Sequence, residues 1–226
     1  RETVSAGWAE SAVALDLSSR VLERAREAAQ AQGLAIDYLQ ADMNQLPVGA
    51  PGFEPGSFDA VLGVAAVHHC SAIERLYADV ATLLPPGGWF FLDEYVGPDR
   101  FQWSPGHVRH LNTLLELLPP RLRTTLDGRL KAHARRPTPQ EVIAVDASEA
   151  VRSSELLPLL SGHFERLAWR PYGGALLHVL LSDIAQNFLG DAEAPYLDAL
   201  LEAEEELLRS GQLDPCFGCV IARRPR

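Results

Sequence analysis

In the first half of the chain, short apolar runs alternate with amphipathic stretches. Apolar repeats at helical spacing fill residues 20–32, and Gly33 ends them. Four runs have the length of buried strands, at 12–17, 35–41, 58–64 and 89–93. Strands that alternate with helices are typical of an α/β protein. We therefore predict a Rossmann-like, mostly parallel sheet that helices cover on both faces.

The second half of the chain is richer in helical patterns. Ser71 and Glu74 already predict a capping box for a helix that runs to about Leu84. Further on, the pattern predicts helices over 104–118 and 195–210 and strands over 164–170 and 216–222. We therefore expect three parts, namely an α/β core over 1–95, a helical insertion or lid over 96–163, and a C-terminal part of the core with added helices over 164–226.

Composition and charge narrow the classes of function. Twenty basic and thirty acidic residues give a net charge of −10, and a surface of that sign disfavours nucleic-acid binding. No window approaches the roughly 18 apolar residues of a membrane helix, and no apolar leader directs export. Three cysteines fit a reducing compartment better than a disulfide framework. We expect a cytoplasmic protein with neither nucleic-acid nor membrane partners.

Two acidic residues end the first two predicted strands, where an open parallel sheet binds ligands. The carboxylate of Asp16 can accept hydrogen bonds from both hydroxyls of a ribose. Asp42 can accept one from an exocyclic adenine amine while Met43 packs on the ring. The alternative is that both acids only cap neighbouring helices or turns.

Four motifs in order resemble the class I S-adenosylmethionine-dependent methyltransferases. They are Asp16, Ala41-Asp42, Phe58-Asp59 and the Leu-Pro-Pro-Gly-Gly segment 84–88. The resemblance extends roughly from residue 10 to 95 and includes the final strand loosely. It implies S-adenosylmethionine as cofactor and a small-molecule methyl acceptor, because a His-His pair such as His68-His69 is common in the small-molecule branch. The cofactor residues it implies are Asp16, Leu17, Asp42, Met43, Gly63, Val64 and Ala65.

One element of that family has no counterpart in the sequence. The family's glycine-rich loop should lie about eighteen residues before Asp16, where backbone amides approach the cofactor. Gly7 is the only glycine before Asp16 and lies too close to it. We therefore expect these 226 residues to lack the first strand, which would sit between the strands of Asp16 and Phe58, and its loop.

Methyl transfer from a sulfonium is an in-line displacement, so catalysis is largely positioning and exclusion of water. A general base is needed only when the acceptor arrives protonated. His68 and His69 follow the third predicted strand and Glu94 ends the fourth, so these three are the candidate catalytic residues. A histidine suits the role because its ordinary pKa is about 6.5. The alternative is that the histidines only bond to backbone at a helix start.

Aromatic residues around the predicted lid are candidates for the acceptor pocket. They are Tyr95, Phe101, Trp103 and Tyr172, and such residues can line an apolar site over the cofactor. The alternative is that they only pack the junction between the core and the insertion.

Two further motifs predict no chemistry of their own. Cys216 and Cys219 have CxxC spacing, but they point to opposite faces of a strand and have no second ligand pair, so we predict no metal site. The basic stretch 121–136 contains no interleaved aromatic residue. It is typical of a solvated lid surface or of a site for an anionic substrate.

Two other functions remain open. An NAD(P)-dependent oxidoreductase also places an acid after its second strand. The Ala-Asp-Met and Pro-Pro-Gly-Gly segments argue against it, and because Lys131 is the only lysine there is no Tyr-x-x-x-Lys pair. A non-catalytic methyltransferase-like binding subunit is the second alternative. Whether the chain binds the cofactor distinguishes it from an enzyme.

Overall fold

The computed structural model describes residues 1–226, and its elements follow the predicted alternation. The strands are β1 (Ala12–Asp16), β2 (Ile36–Gln40), β3 (Ala60–Val64), β4 (Trp89–Tyr95), β5 (Glu165–Gly173) and β6 (Phe217–Arg223). The α-helices are α1 (Glu2–Ser5), α2 (Ser19–Gln30), α3 (Ile73–Leu83), α4 (Pro105–Leu117), α5 (Pro139–Val145), α6 (Leu156–Leu160), α7 (Leu177–Leu180) and α8 (Ala194–Arg209).

The strands form two sheets, and the larger sheet is mixed. β1 and β2 are a parallel pair, and the four-stranded sheet has the order β3-β4-β6-β5. β3 and β4 are parallel, whereas β6 runs antiparallel to both of its neighbours. The predicted mostly parallel sheet is therefore wrong. The reason is where the chain enters β6: Val96 N donates to Cys216 O at the carboxyl end of β4, so β6 has to run back along that strand.

β1 and β3 are each paired along one edge only. β1 pairs with β2 alone and β3 with β4 alone. The residues before β1 form no strand, because Glu2–Ser5 is helical. Within these 226 residues, neither β1 nor β3 has a strand on its second edge, where the resemblance assigns the family's first strand.

One face of the four-stranded sheet packs on α3 and α6. α3 presents buried residues at helical spacing, namely Ile73, Leu76, Tyr77, Val80 and Leu83. They join Phe90, Leu92 and Val220 of the sheet in one apolar cluster. Tyr77 also donates its hydroxyl to Leu156 O at 2.9 Å, at the start of α6. This cluster holds the carboxyl ends of β3 and β4 in place.

The opposite face of that sheet remains open. Leu62, Val64 and Trp89 are 51%, 54% and 48% exposed, and their neighbour Ile221 is 39% exposed. These residues alternate along the strands with the buried ones, as the pleat requires. The prediction that helices cover both faces therefore fails for this sheet.

The predicted capping box at Ser71 is also wrong. The helix begins one residue later, and no side chain of its own N-cap closes it. Instead Asn44 Oδ1 accepts hydrogen bonds from the amides of Ser71 and Ala72 (both 2.9 Å) and from the Ser71 hydroxyl (3.1 Å). Glu74 pairs with Arg152 instead of closing a capping box.

A second apolar cluster joins the predicted insertion to the C-terminal region. Its members include Tyr95 at the end of β4, Leu111 and Leu115 on α4, Leu180 on α7 and Leu200 on α8. Glu204 connects α8 to this cluster, because its buried carboxylate accepts hydrogen bonds from the backbone amides of Gly174, Leu176 and Leu177. None of the helices is long and apolar enough to cross a membrane.

Candidate functional site

Asp16 and Asp42 lie at the same end of the β1-β2 pair. Ala41 N donates to Asp16 O at 3.2 Å, which brings the two strand ends together. Asp16 Oδ1 accepts from Ser18 N at 2.7 Å, and Asp42 Oδ1 accepts from the backbone and side-chain nitrogens of Asn44 at 2.8 and 2.9 Å. The Oδ2 atom of each carboxylate has no hydrogen-bond partner in the chain. Both acids therefore cap local turns and still offer one oxygen to a ligand.

The other predicted cofactor residues lie in two places. Leu17 is 62% exposed beside Asp16, while Met43 is half-buried against the first apolar cluster. At the end of β3, a Cβ on Gly63 would lie 2.6 Å from Val67 Cγ2, so this glycine serves close packing. Ala65 has a φ of 47°, which a non-glycine residue adopts at a cost. That conformation turns the chain out of β3 toward the histidines.

Glu94 fixes the position and the tautomer of His68. Its buried carboxylate accepts the amides of Ala66 (2.9 Å) and Val67 (2.7 Å) through Oε1. Oε2 lies 2.8 Å from His68 Nδ1. Because the carboxylate only accepts, Nδ1 carries the proton and a neutral His68 keeps its lone pair on Nε2. Glu94 therefore acts by positioning.

His69 is fixed in the same way by a serine. Its Nδ1 lies 3.0 Å from Ser148 Oγ. That hydroxyl donates its only hydrogen to Asp146 Oδ1 at 2.6 Å, so His69 Nδ1 is the donor to Ser148. The lone pair of a neutral His69 is then also on Nε2. The rings of His68 and His69 lie side by side, with centroids 4.3 Å apart.

Glu149 faces both histidines, and no motif in the sequence marks it as a site residue. Its carboxylate oxygens lie 3.7 Å from His68 Nε2 and 3.8 Å from His69 Nε2. Two contacts hold the turn that carries it: the Arg100 guanidinium donates to Glu149 O and Ala147 O, both at 2.8 Å, and Val151 N donates to His68 O at 3.2 Å. These contacts, together with the one between Ser148 and His69, bring residues 146–149 to the end of β3.

A cavity of about 440 Å³ adjoins this cluster. Its lining is Phe101, Pro137, Glu141, Val142, Val145, Asp146, Glu149 and His178. Burial lowers the pKa of His178, so its imidazole is neutral near pH 7. The cavity therefore combines apolar walls with an acidic rim.

The four predicted acceptor-pocket residues are not all in one place. Phe101 lines the cavity and stacks on Trp103, which is buried, with centroids 5.5 Å apart. Tyr95 is buried behind His68, with ring centroids 6.3 Å apart, and its hydroxyl donates to Pro98 O. Tyr172 is exposed and donates its hydroxyl to Asp93 Oδ1 at 2.7 Å. Of these four, only Phe101 lines the cavity wall.

The remaining motifs have structural partners. Cys216 is buried in the second apolar cluster, whereas Cys219 lies on the strand beside Asp93, and both are free thiols. In the basic stretch, Arg121 pairs with Glu193 and Arg135 with Glu141. Lys131 Nζ donates to three carbonyls around the end of α7, those of Val179, Leu180 and Ser182.

Comparison with known proteins finds methyltransferases that are similar to the α/β part of the chain. Residues 3–92 match the family model described as a methyltransferase domain. A sterol 24-C-methyltransferase of Candida albicans is 33% identical over 91 residues, which is 39% of this chain and 23% of that protein. A demethylmenaquinone methyltransferase of Thermus thermophilus is 28% identical over 167 residues, which is 74% of this chain and 70% of that protein. The chain thus spans about a quarter of the length of the sterol methyltransferase.

Structural similarity extends over the whole chain. Phosphoethanolamine N-methyltransferase 2 of Haemonchus contortus, solved with S-adenosyl-L-methionine, has a TM-score of 0.58 and 17% sequence identity. The match covers 100% of this chain and 45% of that one. This similarity shows a common fold, and it includes the antiparallel strands that the sequence alone did not predict. The family match over residues 3–92 and this common fold make the α/β part of the chain similar to methyltransferase domains.

Proposed function

We propose that this chain transfers a methyl group from S-adenosylmethionine to a small-molecule acceptor. The observation that carries the proposal is the pair of strand-end acids, Asp16 and Asp42, each with an oxygen free for a ligand. These acids belong to the segment that matches the methyltransferase family model. The relatives' acceptors differ, so the acceptor is argued from the cavity of this chain.

The residues present fit the adenosine half of the cofactor. Asp16 would hold the ribose through Oδ2, and Asp42 would hold the adenine amine beside Met43. Leu17 and the turn 63–65 would border the rest of the molecule. S-adenosylmethionine supplies an electrophilic methyl group on its sulfonium. The structure supports this assignment because each carboxylate uses only Oδ1 to cap its local turn.

The acceptor would bind in the cavity between α5, Phe101 and the histidine pair. Apolar walls at Phe101, Val142 and Val145 favour an apolar body, and the acidic rim favours one hydroxyl or amine that arrives protonated. His68 Nε2 is placed to accept that proton, because Glu94 holds the opposite ring nitrogen. The remaining work is positioning and exclusion of water, for which the insertion over 96–163 acts as a lid.

The same sites allow the alternatives to be separated. A non-catalytic binding subunit would not bind the cofactor, and an oxidoreductase would bind NAD. The proposal also includes the predicted cytoplasmic location, which the three free thiols support.

A thermal-shift comparison tests the ligand class. S-adenosylhomocysteine at a hundred times its Kd should stabilise the chain by about 2.7 kcal/mol, and NAD should not stabilise it. Stabilisation by NAD and none by S-adenosylhomocysteine would overturn the proposal. Turnover is then measured as transfer of a labelled methyl group from S-adenosylmethionine to a panel of apolar alcohols and amines. Stabilisation by neither S-adenosylhomocysteine nor NAD would favour the non-catalytic alternative.

A further inference from the structure

Three electron-pair donors converge at the end of β3 with no hydrogen donor between them. The ligand atoms of His68, His69 and Glu149 all lie within 4.8 Å of one another. The tautomers derived above leave Nε2 of each neutral imidazole as an acceptor, and the Glu149 carboxylate is an acceptor as well. None of these atoms has a hydrogen-bond partner in the chain. With both imidazoles neutral, such a cluster is repulsive, and either a proton on one Nε2 or a cation at its centre relieves the repulsion.

We propose that His68, His69 and Glu149 bind a divalent first-row transition-metal ion such as Zn²⁺ or Co²⁺. Two imidazoles and one carboxylate suit these ions, whereas Mg²⁺ and Ca²⁺ prefer all-oxygen sites. Bonds of roughly 2.1 Å in tetrahedral geometry put ligand atoms about 3.4 Å apart. The observed separations of 3.7 and 3.8 Å from Glu149 to the two imidazoles are close to that value.

The groups behind the ligands are those that a metal site requires. A metal-bound histidine usually donates its other ring N–H to a carboxylate or another acceptor, which fixes the ring. Here Glu94 does so for His68, and Ser148, itself held by Asp146, does so for His69. Arg100 holds the backbone of Glu149. Both imidazoles and the backbone of Glu149 are therefore held in place before an ion arrives.

The site also has an open position. Three protein ligands leave at least one coordination place free, as in catalytic zinc sites. Glu149 lines the cavity proposed for the acceptor as well, so a small molecule in that cavity can reach the ion. An ion bound here occupies the lone pair on His68 Nε2, so metal binding and proton acceptance by His68 exclude one another.

Titration of the metal-free chain with Co²⁺ alone and Zn²⁺ alone tests the proposal without any methylation assay. We expect one ion per chain by calorimetry and a Co²⁺ absorption spectrum without a thiolate charge-transfer band. Glu149→Gln and His69→Gln should each lower the affinity at least tenfold. Ser148→Ala should lower it about tenfold while leaving all three ligands in place.

Two control variants assign the ion to this cluster. His133→Gln removes an exposed histidine outside the cluster, and Cys219→Ser removes the partly exposed thiol. Neither should change the affinity, and circular dichroism confirms that each variant is folded. The proposal is wrong if no ion binds, if folded Glu149→Gln binds as tightly as the parent, or if Cys219→Ser alone abolishes binding. Its failure would leave the methyltransferase proposal intact, because that proposal rests on Asp16 and Asp42.

Discussion

Oε2 of Glu94 lies 2.8 Å from Nδ1 of His68, and the same carboxylate also accepts hydrogen bonds from three backbone amides of the turn that carries this histidine. One buried side chain thus sets where the turn lies and which nitrogen of the imidazole carries the proton. The structure of the turn and the chemistry of the histidine therefore depend on the same group.

Replacement of Glu94 by glutamine tests this dual role. The amide has nearly the same shape, but its NH₂ group would face backbone amides or the imidazole N–H, which also donate. Each buried polar group left without a partner lowers the stability by about 1–3 kcal/mol. We expect a lower urea midpoint and, because His68 loses its anchor, a kcat about 100-fold lower with an altered pH profile.

Glu204→Gln is the matched control for that change. Glu204 is also buried and also accepts three backbone amides, but it lies on α8, away from the histidines. We expect a similar loss of stability with kcat and pH profile unchanged. Equal kinetic losses in the two variants would show that the Glu94 effect is structural only.

Asp16→Asn tests the ribose contact. The substitution removes the charge from a group that accepts two hydrogen bonds, a loss of about 1.5–3 kcal/mol. The affinity for S-adenosylhomocysteine, measured by calorimetry, should therefore fall about ten- to a hundredfold. Asp37→Asn makes the same charge change at an exposed position in the middle of β2 and should leave the affinity unchanged. An unchanged affinity for Asp16→Asn would place this residue outside the site.

Gly63→Ala tests the packing beneath the end of β3. The new Cβ would lie 2.6 Å from Val67 Cγ2 and 2.9 Å from Leu92 Cδ2. Overpacking of this kind costs about 1–3 kcal/mol, which urea unfolding measures. Gly106→Ala is the control, because its Cβ would approach nothing closer than 3.5 Å and alanine favours the helix. A Gly63→Ala chain as stable as the parent would mean that the strand end shifts freely.

The Arg152 ion pairs predict a contribution to stability that disappears in acid. Hydrogen bonds from the Arg152 guanidinium lower the pKa of Glu74 to about 2. Because the folded pKa lies below the unfolded one, the stabilisation is present above about pH 4.5 and is lost as the pH falls toward 2.

Arg152→Met should therefore lower the urea midpoint near neutral pH. We expect the difference from the parent to close as the pH falls from about 5 to about 2. Salt reduces the effect, because Glu74 is exposed. Arg20→Met, at an exposed position without an ion pair, should show no such closing. A difference that is constant with pH would contradict the assignment.

The free edges of β1 and β3 predict that an added strand stabilises the chain. Unpaired strand edges leave backbone groups without partners and promote aggregation. We expect a chimera, extended at its N-terminus by a strand and glycine-rich loop from a related methyltransferase, to bind S-adenosylhomocysteine more tightly and to unfold at a higher urea midpoint. Equal affinity and equal midpoints for the two forms would mean that the unpaired edges of β1 and β3 do not affect stability or cofactor binding.

Local signals were sufficient to predict most elements of the fold. The apolar runs that end at Asp16 and Val64 and the helix ended by Gly33 depend on residues close in sequence, so their positions were confirmed within a few residues. The direction of β6 depends instead on the end of the sheet at which the chain enters this strand after α8. No local pattern records that, which is why the mixed sheet was not predicted.

The candidate site divides in the same way. Asp16 and Glu94 lie at the carboxyl ends of β1 and β4, and Asp42 and His68 come shortly after β2 and β3, so the strand pattern was enough to place each at a strand end. Glu149 lies 81 positions after His68 in the sequence and reaches it through long-range hydrogen bonds that involve Arg100, Val151 and Ser148. The capping box at Ser71 failed for a related reason, since the distant Asn44 takes over the helix start.

That role of Asn44 predicts thermodynamic coupling between the proposed cofactor and acceptor sites. Its amide nitrogen donates to Asp42, and its Oδ1 accepts hydrogen bonds from the amides of Ser71 and Ala72, just beyond His69 and Cys70. A ligand that binds the Asp42 carboxylate therefore affects, through the Asn44 side chain, the segment that carries the histidines. Such coupling is reciprocal, so occupancy of the acceptor cavity must change cofactor affinity by the same factor.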